Sequence, residues 1–572
     1  MSYRWLLAPA CPQLAARLAA ELGVSPLLAQ CLLNRGLDEP ARAAAFLAPR
    51  LRLLAEPARL PNLPAAVQRL WRARENTEPV VILGDYDVDG VTATALLLEV
   101  LRPLGWRVNY YLPHRLEEGY GLTREAAEHC LQKHPVRLLM AVDCGSTARE
   151  TVAWLNRQNV EVVVLDHHQV SSPPPPAVAI VNPQLGPAGR EGFRELCSAG
   201  LAFKLAHALV KHGRQTGLPA AASFDLRPRL DLVALGTIAD LAPLTGENRI
   251  LVSAGLERLN LLQRPGVRAL KEVARITGPI GTHEVGFLLA PRLNAAGRLE
   301  NATDALEILL AETPAQAEPL ARALDARNRE RQNIERHIAE QVIGAVRARF
   351  NPQTDYVIVE GQLLWHVGVV GVVASRVLQE FYRPTVILGG DGHEWRGSGR
   401  SIEGFDLAAA LRECGDLLVR HGGHALAAGL TIHPDSVPAL RARLNALAQQ
   451  RLAPEQLQPP LHLDAEAGLA ELTVERLTEL ARLQPIGQGN PPVQLLLRNL
   501  GLRGPPVRIG RDQQHLKLWV AEGQTTCEAV WWNGADKPCP TGRFDLACAP
   551  QLNDFNGSTS VQLKLLDWRP CP

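Results

Sequence analysis

No apolar run in the sequence approaches the roughly 20 residues that a membrane-spanning helix needs. The first residues, MSYRWLLAPACPQ, contain an apolar stretch too short for a secretory signal. The 10 cysteines are scattered and form no CxxC pair, and a chain of 572 residues does not need disulfides to build a core. We therefore expect a cytoplasmic protein with reduced thiols, no zinc site built from cysteine pairs, and no membrane partner.

Lysine is scarce as well: of the 60 basic residues, 7 are lysines and 53 are arginines. Codon bias in a GC-rich genome is sufficient to explain this excess, although the arginine fork also suits phosphate groups. The formal net charge of +1 excludes neither a nucleic acid nor any other partner, because a neutral total can conceal a basic groove. A hydrophobic content of 46% in 572 residues indicates an ordinary globular protein with several domains.

Changes of sequence texture divide the chain into five segments. Residues 1–60 are rich in Ala, Leu and Arg at helical spacing. Short β-branched runs alternate with helical stretches over 61–310, which predicts a parallel sheet covered on both faces. Charged residues at helical spacing predict a long connecting helix over 311–352. A smaller α/β pattern occupies 353–452, with glycine-rich turns expected over 389–404 and 422–429. The strand-like segment 453–572 predicts a closed β-barrel of the OB type. The predicted fold class is α/β with a C-terminal barrel.

Three apolar runs in the second segment each end in acidic or imidazole side chains. The runs are Val80–Leu83, Leu138–Val142 and Val162–Leu165, and a fourth apolar stretch ends at Asp240. Because the carboxyl ends of parallel strands converge on one crevice, we expect the polar residues that follow these runs to meet there. Those residues are, in chain order, Asp85, Asp87 and Asp89, then Asp143, then Asp166, His167 and His168.

Such a cluster of carboxylates requires a positive charge. Five carboxylates at one place would repel one another and be driven toward protonation unless a cation lay among them. Carboxylate and imidazole ligands together suit Mn²⁺ or Mg²⁺, and the imidazole shifts the preference toward Mn²⁺. The sequence therefore predicts a divalent-metal centre at this edge of the sheet.

Other interpretations of these segments are weaker when the segments are taken together. Asp85–Gly90 resembles the opening of an EF-hand loop, but the glutamate that such a loop needs would fall at Leu96, and a strand precedes it. It also resembles the Asp-x-Asp opening of aspartyl-phosphate phosphatases, which have no use for a histidine pair two strands later. Helix capping explains Asp143 alone as well as metal binding does, but it does not explain all four segments.

The motifs that contain these residues resemble those of a known family. GDYDVDGVTATALL, AVDCG, VVVLDHH and LGTIADLAPLTGENR are similar to the four motifs of the DHH phosphoesterases. PHRLEEGYGL, LCSAGLAFKL, PRLNAAGRLE, WHVGVVGVVASR, GSGRS and GGHALAAG resemble one branch of that family, the RecJ single-strand DNA exonucleases. ARLQPIGQGNPPV and QLNDFNGSTSVQLKLLDW are similar to the OB-fold of the same branch. The match runs from about residue 45 to the end of the chain, and no motif residue is missing.

This resemblance implies a DHH catalytic domain over 61–310, a DHH-associated substrate-binding domain over 353–452 and an OB-fold over 453–572. It places the active site in the cleft between the first two, with two ions of Mn²⁺ or Mg²⁺. The implied ligands are Asp89, His167 and Asp240 for one ion, Asp85 and Asp87 for the other, and Asp143 for both.

The resemblance also implies roles for residues around the metals. Asp166 would orient the histidine pair, and His168 would either contact the scissile phosphate or assist the leaving group. Arg115 would recognise the 5′ end of the strand. In Gly-rich turns, side chains and N–H groups can converge on one phosphate. The candidates for such contacts are Arg298, Ser398, Arg400, Ser401 and His424; a solvated surface charge is the alternative for each arginine.

Aromatic side chains of the C-terminal segment could stack on unpaired bases. They are Trp519, Trp531, Trp532 and Phe555. A position in the core of the barrel is the interpretation that we favour for most of them.

The function implied by the resemblance is a metal-dependent exonuclease of DNA repair and recombination. It would degrade single-stranded DNA from 5′ to 3′ into 5′-mononucleotides by attack of a metal-activated water on the phosphodiester. A single-strand-binding protein and a helicase are the implied partners. Two other functions stay open: a binding scaffold with an inactive site, which would have lost motif acids, and a phosphodiesterase of short oligonucleotides or cyclic dinucleotides, which needs no OB module.

Overall fold

The computed structural model describes residues 3–114, 117–185, 193–299, 301–390, 392–555 and 557–571. Its contacts divide the chain into two compact units. We call Glu39–Asn328 together with Arg482–Pro492 the acidic unit. The C-terminal unit consists of Met1–Asp38, Arg329–Ala481 and Val493–Pro572. Strands and helices are numbered along the whole chain.

The acidic unit contains a five-stranded parallel sheet. Its strands are β2 (Val80–Gly84), β3 (Val108–Tyr111), β4 (Leu138–Val142), β5 (Glu161–Leu165) and β6 (Ala179–Val181). They lie side by side in the order β3-β2-β4-β5-β6. Every residue of β2 and β4 is buried, as expected for a sheet with helices on both faces. The three apolar runs are therefore confirmed as strands, and the strands that contain them are neighbours.

Helices make up most of the rest of this unit. Every residue of the helix after β2 is buried except Glu99, because this helix packs against four other helices as well as the sheet. The helices are α3 (Pro40–Leu47), α4 (Leu63–Glu75), α5 (Val88–Leu101), α6 (Arg124–Lys133), α7 (Arg149–Arg157), α8 (Ser198–Gln215), α9 (Pro219–Ala222), α10 (Leu230–Ala239), α11 (Gly246–Asn260), α12 (Pro265–Val273), α13 (Ala290–Leu299) and α14 (Thr303–Leu310). A short π-helix, Glu284–Leu289, precedes α13. The predicted long connecting helix is α15 (Pro314–Arg347), and the division between the units falls within it.

The C-terminal unit includes the first 38 residues of the chain. They form β1 (Arg4–Leu7), α1 (Pro12–Leu22) and α2 (Pro26–Asn34). Helical spacing over residues 1–60 predicts these helices and α3 but does not predict β1. This strand pairs in parallel with β12 (Pro460–Leu463), far away in sequence, so that no local pattern could identify it.

A second sheet lies in the middle of the C-terminal unit. Its strands are β7 (Ile358–Leu363), β8 (Thr385–Gly390), β9 (Trp395–Arg400), β10 (Leu418–His424) and β11 (Ala427–Ile432), in the order β10-β11-β9-β8-β7. Strands β7 and β8 are parallel, and the other neighbours are antiparallel. The accompanying helices are α16 (Val370–Phe381), α17 (Leu407–Glu413) and α18 (Val437–Arg451).

Glycines that predict turns in this sheet lie in strands instead. A Cβ atom at Gly397 would lie 2.4 Å from Leu388, and one at Gly399 would lie 2.4 Å from Leu407. Glycine is therefore required in β9 because neighbouring side chains occupy the space that a Cβ atom would fill. The expectation of glycine-rich turns over 389–404 and 422–429 is therefore wrong for the parts of these segments that lie in β9, β10 and β11.

The C-terminal β module has seven strands and one helix, α19 (Val474–Leu480). The strands are β13 (Ala465–Glu466), β14 (Leu495–Leu502), β15 (Val507–Ile509), β16 (His515–Glu522), β17 (Thr525–Trp531), β18 (Phe544–Phe555) and β19 (Ser558–Pro570), in the order β13-β14-β18-β19-β17-β16-β15. Between β14 and β16 there are only two residue pairs, Gly501 with Ala521 and Leu502 with Val520. The expected barrel is thus a curved sheet that is not fully paired at this seam.

Within the described ranges, no single helix has both the length and the apolar character of a membrane span. Helices α1 and α2 meet these criteria only as a pair, by length and composition, with a bend of 111° between them.

Candidate metal centre and substrate-binding residues

The acids and one histidine of the acidic unit meet at the carboxyl edge of its sheet. Nε2 of His167 lies 3.4 Å from Oδ1 of Asp143, 3.9 Å from Oδ2 of Asp89 and 3.9 Å from Oδ2 of Asp240. For Asp89, Asp143 and His167 this convergence follows from the strand order, because β4 lies between β2 and β5 and the three parallel strands end at the same edge, whereas Asp240 comes from the C-terminal end of a helix, α10.

Three groups of side chains at this edge could each hold a metal ion. Within each group, the possible ligand atoms all lie within 4.8 Å of one another. Nε2 of His167 is buried and has no hydrogen-bond partner among the described residues, as expected of a nitrogen that faces a shared cation. The groups are Asp85, Asp87 and Asp143; Asp143, His167 and His168; and Asp89, Cys197 and Asp240.

Burial and mutual repulsion raise the carboxyl pKa values at this edge. Burial, with repulsion from Asp89 and Asp87, raises the pKa of Asp143 well above its usual value. The same two causes raise the pKa of Asp240 to about 8, and burial raises the pKa of Asp89. Crowded carboxylates with raised pKa values are the electrostatic environment that a divalent cation compensates.

Two of the acids are held by the helix that follows the first strand. Asp87 caps α5: its Oδ1 accepts hydrogen bonds from the backbone N–H of Asp89 (2.9 Å) and Gly90 (3.1 Å). Asp89 lies in the first turn of the same helix and is almost fully buried. A helix N-terminus favours such negative charge because its N–H groups point outward.

The start of α8 contacts two of the acids, and the sequence motifs did not predict these contacts. The backbone N–H groups of Ser198 and Ala199 donate to the two oxygens of Asp89 at 2.7 and 2.8 Å. The Ser198 hydroxyl donates to Oδ1 of Asp143 at 2.8 Å. Cys197 and Ser198 both lie in the LCSAG stretch, which supports the family resemblance but did not indicate that these residues contact the acids.

Asp143 occupies an unusual backbone conformation for a residue other than glycine. Its φ is +63°, in the left-handed region. Aspartate and asparagine tolerate this region better than most residues. Such conformations occur preferentially at functional sites, where the surrounding structure fixes them.

Asp166 contacts His168. Its Oδ1 accepts hydrogen bonds from the His168 N–H at 3.1 Å and from His168 Nδ1 at 2.7 Å, and its Oδ2 accepts one from the Ser146 N–H. Although burial opposes it, these bonds hold the pKa of Asp166 at about 2, and they raise the pKa of His168 to about 9. Nε2 of His168 lies 3.3 Å from the hydroxyl of Tyr120, a half-exposed residue of the PHRLEEGYGL motif that the motif reading also left without a role.

Arg298 lies in helix α13 and not in the expected Gly-rich turn. This helix contacts the loop that contains the first acids: Oδ1 of Asn294 accepts the N–H of Val88 at 3.2 Å. A Cβ atom at Gly297 would lie 2.6 Å from the carbonyl oxygen of Tyr86, so glycine is needed for this close approach. The candidate Arg115 lies outside the described residues.

Ser398, Arg400 and His424 lie in strands, which corrects the expected turns, whereas Ser401 directly follows β9 and donates its hydroxyl to the carbonyl of Phe405 at 2.7 Å. Ser398 and Arg400 belong to β9, and His424 ends β10. Both Arg400 and His424 pair with Ala427 of β11, so they lie in register across the sheet. Arg400 Nη1 donates to the Ser398 hydroxyl at 2.9 Å. A Cβ atom at Gly371, in the first turn of α16, would lie 3.0 Å from that hydroxyl, so this helix N-terminus lies beside the pair.

The aromatic candidates of the β module differ in exposure. Trp531 is buried, whereas Trp519 and Trp532 are 43% and 47% exposed. The core position that we favoured for most of them is therefore wrong for two of these three tryptophans. The side chain of Phe555 lies outside the described residues.

Family models match the chain in three consecutive regions. The DHH family N-terminal domain matches residues 79–237, the DHHA1 domain matches 354–450 and the RecJ OB domain matches 463–567. The fold and the acidic cluster thus define a DHH-family protein with DHHA1 and OB domains.

Curated relatives narrow this class. The chain is 36% identical over 559 residues to the single-stranded-DNA-specific exonuclease RecJ of Bacillus subtilis, covering 96% of the chain and 69% of the relative. It is 35% identical over 537 residues to the RecJ of Haemophilus influenzae, covering 91% of the chain and 92% of the relative. The chain belongs to the RecJ family of single-stranded-DNA-specific exonucleases.

Solved structures agree with this assignment. RecJ from Thermus thermophilus in complex with Mn²⁺ matches with a TM-score of 0.85 at 32% identity, covering 100% of this chain and 80% of that chain. Its complex with Mg²⁺ matches with a TM-score of 0.78 at 30% identity, covering 100% and 79%. The predicted fold class is confirmed.

Proposed function

We propose that this protein is a metal-dependent exonuclease that degrades single-stranded DNA from 5′ to 3′ into 5′-mononucleotides in DNA repair and recombination. The observation that carries the proposal is the convergence of Asp89, Asp143 and Asp240 on the buried Nε2 of His167 in a member of the RecJ family. This nitrogen has no hydrogen-bond partner within the part of the chain that the structure describes. The proposal is further supported by the sequence, in which no acid of the four motifs is missing.

Two ions of Mn²⁺ or Mg²⁺, when bound, supply an activated water and offset the charge that develops on the phosphoryl oxygens. Asp143 is the proposed shared ligand because it belongs to two of the three groups of candidate ligands. The proposed ligands of one ion are Asp89, His167 and Asp240, and those of the other are Asp85 and Asp87. Ser198, which donates to Asp143, and Ala199 keep their carboxylate partners oriented.

His168 has a different proposed role. Asp166 holds the Nδ1 side of its ring, so that Nε2 lies toward Tyr120. From this orientation His168 would either contact the scissile phosphate or donate a proton to the leaving oxygen.

The proposed phosphate contacts in the C-terminal unit are Ser398, Arg400 and His424. The pairing of Arg400 with Ser398 beside the first turn of α16 brings a guanidinium, a hydroxyl and helix N–H groups together, and such donors converge well on one phosphate. Arg298 and Arg115 are proposed to bind phosphates on the acidic unit, Arg115 at the 5′ end of the strand.

Replacing Arg400 with glutamine should raise KM for a single strand about tenfold or more and change kcat little. The reason is that a charge-assisted hydrogen bond to phosphate contributes roughly 1.5–3 kcal/mol. Steady-state kinetics on a phosphorylated strand would measure the change. The matched control is Arg443→Gln, which removes a surface arginine paired with Asp416 in the same unit. Equal KM values for the two variants would contradict the assignment.

The β module supports a preference for long strands over dinucleotides. Trp519 and Trp532 expose faces on which unpaired bases could stack, and stacking contributes roughly 1–3 kcal/mol per base. A cytoplasmic location is part of the proposal, because the proposed substrate is chromosomal DNA. A single-strand-binding protein and a helicase are proposed partners, supported by the family resemblance alone.

The function is tested with a long single strand labelled at either end, incubated with Mn²⁺. We expect mononucleotides to appear first from the 5′-labelled end and no product from a blunt duplex. A strand that is bound but left intact would indicate a scaffold without catalysis. Cleavage confined to dinucleotides would indicate a small-substrate phosphodiesterase, and release from the 3′ end would contradict the proposed polarity.

A further inference from the structure

Two sequence motifs have no part in the chemistry described above, and the structure brings them together. One ends at Arg249, in GENR, and the other is the segment Arg482–Pro492, which we call the strap. The strap belongs to the acidic unit, although the residues on both sides of it belong to the C-terminal unit. Arg249 is 1% exposed, and its guanidinium stacks 3.7 Å from the ring of Phe46.

Arg249 donates hydrogen bonds to five backbone carbonyl groups. Four of them belong to the strap, at distances of 2.6–3.3 Å, and the fifth is that of Phe46, at 2.7 Å. A buried guanidinium with carbonyl partners on its three nitrogens is fully satisfied, and only a planar fork of five donors can make this set of bonds. The strap carbonyls are those of Arg482, Leu483, Gln484 and Pro485.

The strap is also closed by its own hydrogen bonds. Nδ2 of the fully buried Asn490 donates to the carbonyls of Leu483 at 2.7 Å and Pro485 at 2.8 Å. Gly487 and Asn490 exchange backbone hydrogen bonds of 2.9 and 3.1 Å. The strap is therefore a rigid turn, which Arg249 and Asn490 hold from two sides.

This turn contacts the loop that immediately follows Asp240. The carbonyl of Gln488 accepts the N–H of Leu244 at 2.7 Å. Gly489 has a φ of +71°, and a Cβ atom there would lie 3.0 Å from Cβ of Pro243. The backbone of the strap thus lies directly against residues 243–244.

The loop needs such support because it begins with a strained residue. Asp240 caps the C-terminus of α10, and the next residue, Leu241, has a φ of +59° and is 72% exposed. Its N–H bonds to Ile238, and the N–H of Ala242 bonds to Thr237, in the arrangement that usually has glycine at the position of Leu241. A leucine stays in this conformation only where its surroundings fix it.

The same loop is connected to the residues that hold the other acids. Nδ2 of Asn248, in the GENR motif, donates to the carbonyl of Pro243 at 3.1 Å and to that of Glu195 at 2.6 Å. Glu195 lies three residues before Ser198, whose N–H and hydroxyl bind Asp89 and Asp143. Asn248 therefore connects the Asp240 loop to the start of α8.

We propose that Arg249 and the strap are positioning elements of the metal centre: they fix the Asp240–Thr245 loop and thereby the carboxylate of Asp240. This inference rests on the proposed role of Asp240 as a metal ligand. Because Arg249 is buried and donates to backbone carbonyls, its proposed role is to act through the loop and not on the substrate. Loss of residues that support a metal ligand from behind typically weakens metal binding about 10- to 100-fold. We expect a loss of this size when the carboxylate of Asp240 is held less firmly.

The test compares three variants of the full-length protein for Mn²⁺ binding by titration calorimetry, without DNA. Arg249→Lys removes the fork, and Asn490→Ala opens the strap. Arg383→Lys is the matched control, because Arg383 is also buried and also donates to five backbone carbonyls, all within the C-terminal unit. We expect the Kd for Mn²⁺ to rise about tenfold or more in the first two variants and to stay within about twofold in the control.

Kinetic measurements distinguish a role in positioning the metal ligand from a general loss of protein stability. In Arg249→Lys and Asn490→Ala, the Mn²⁺ concentration for half-maximal activity should rise, while kcat at saturating Mn²⁺ should stay within about threefold of the parent. Unchanged Mn²⁺ affinity in both variants would overturn the inference, as would an equal loss in Arg383→Lys. If Arg249→Lys does not fold, the Mn²⁺ affinity of Asn490→Ala alone decides whether the inference holds. A parent protein that binds no Mn²⁺ would instead refute the proposed metal-dependent function.

Discussion

Replacing Asp143 with asparagine should lower the rate of nucleotide release by at least about 10³-fold, equivalent to ~4 kcal/mol of transition-state stabilisation. Asp143 belongs to two of the candidate metal groups, so the loss of its charge affects both proposed ions. Asparagine tolerates the φ of +63° and can still accept the hydrogen bond from Ser198, so the substitution removes charge with little change of shape.

Several measurements distinguish this loss from misfolding. Affinity for a single strand, measured by fluorescence anisotropy, should stay at the parent value or improve, because one negative charge is removed. Burial and neighbouring carboxylates raise the pKa of Asp143, so the metal-free variant should be at least as stable to heat as the metal-free parent. Asp225→Asn, which removes an exposed carboxylate paired with Arg227, is the control and should keep full activity. A tenth or more of the parent rate in Asp143→Asn would exclude it as a shared ligand.

Chelation should abolish cleavage altogether, and added Mn²⁺ or Mg²⁺ should restore it. The acidic edge contains buried carboxylates with raised pKa values and a histidine nitrogen that no described residue hydrogen-bonds, so its electrostatic balance depends on bound cations. Mn²⁺ should act at lower concentration than Mg²⁺, because one proposed ligand is an imidazole. Activity on a labelled strand after dialysis against EDTA measures the effect.

Binding of Mn²⁺ can be measured in the same samples, without substrate, from the gain in stability against unfolding. At a free Mn²⁺ concentration 100 times its Kd, the acidic unit should gain about 2.7 kcal/mol of stability against unfolding. Asp143→Asn should gain less at the same concentration, which links the stabilisation to the cluster. Cleavage that persists in EDTA would contradict the metal-dependent mechanism.

The acidic edge could be predicted from sequence because its signals are local. Each strand is an apolar run, the acids follow it directly, and parallel packing brings the ends of neighbouring strands together.

The phosphate-binding residues were harder to place. Glycine-rich stretches around Arg298 and Arg400 predict turns, but the structure has a helix and a strand there. Glycine in those elements reflects close packing against Tyr86, Leu388 and Leu407, which cannot be recognised without the folded neighbours.

The sequence by itself determined the class of chemistry, the family and the residues of the acidic edge, because strand, helix and motif signals act over a few residues. Only the tertiary structure decided which distant groups support that edge. It assigned Ser198 to Asp89 and Asp143, paired β1 with β12 and brought the strap to Arg249. These contacts join segments far apart in the chain, and apart from the bond between the Ser198 hydroxyl and Asp143 each uses a backbone group on at least one side. Every residue has such a group, so the sequence does not mark which residue will be the partner, and only the packed fold selects it.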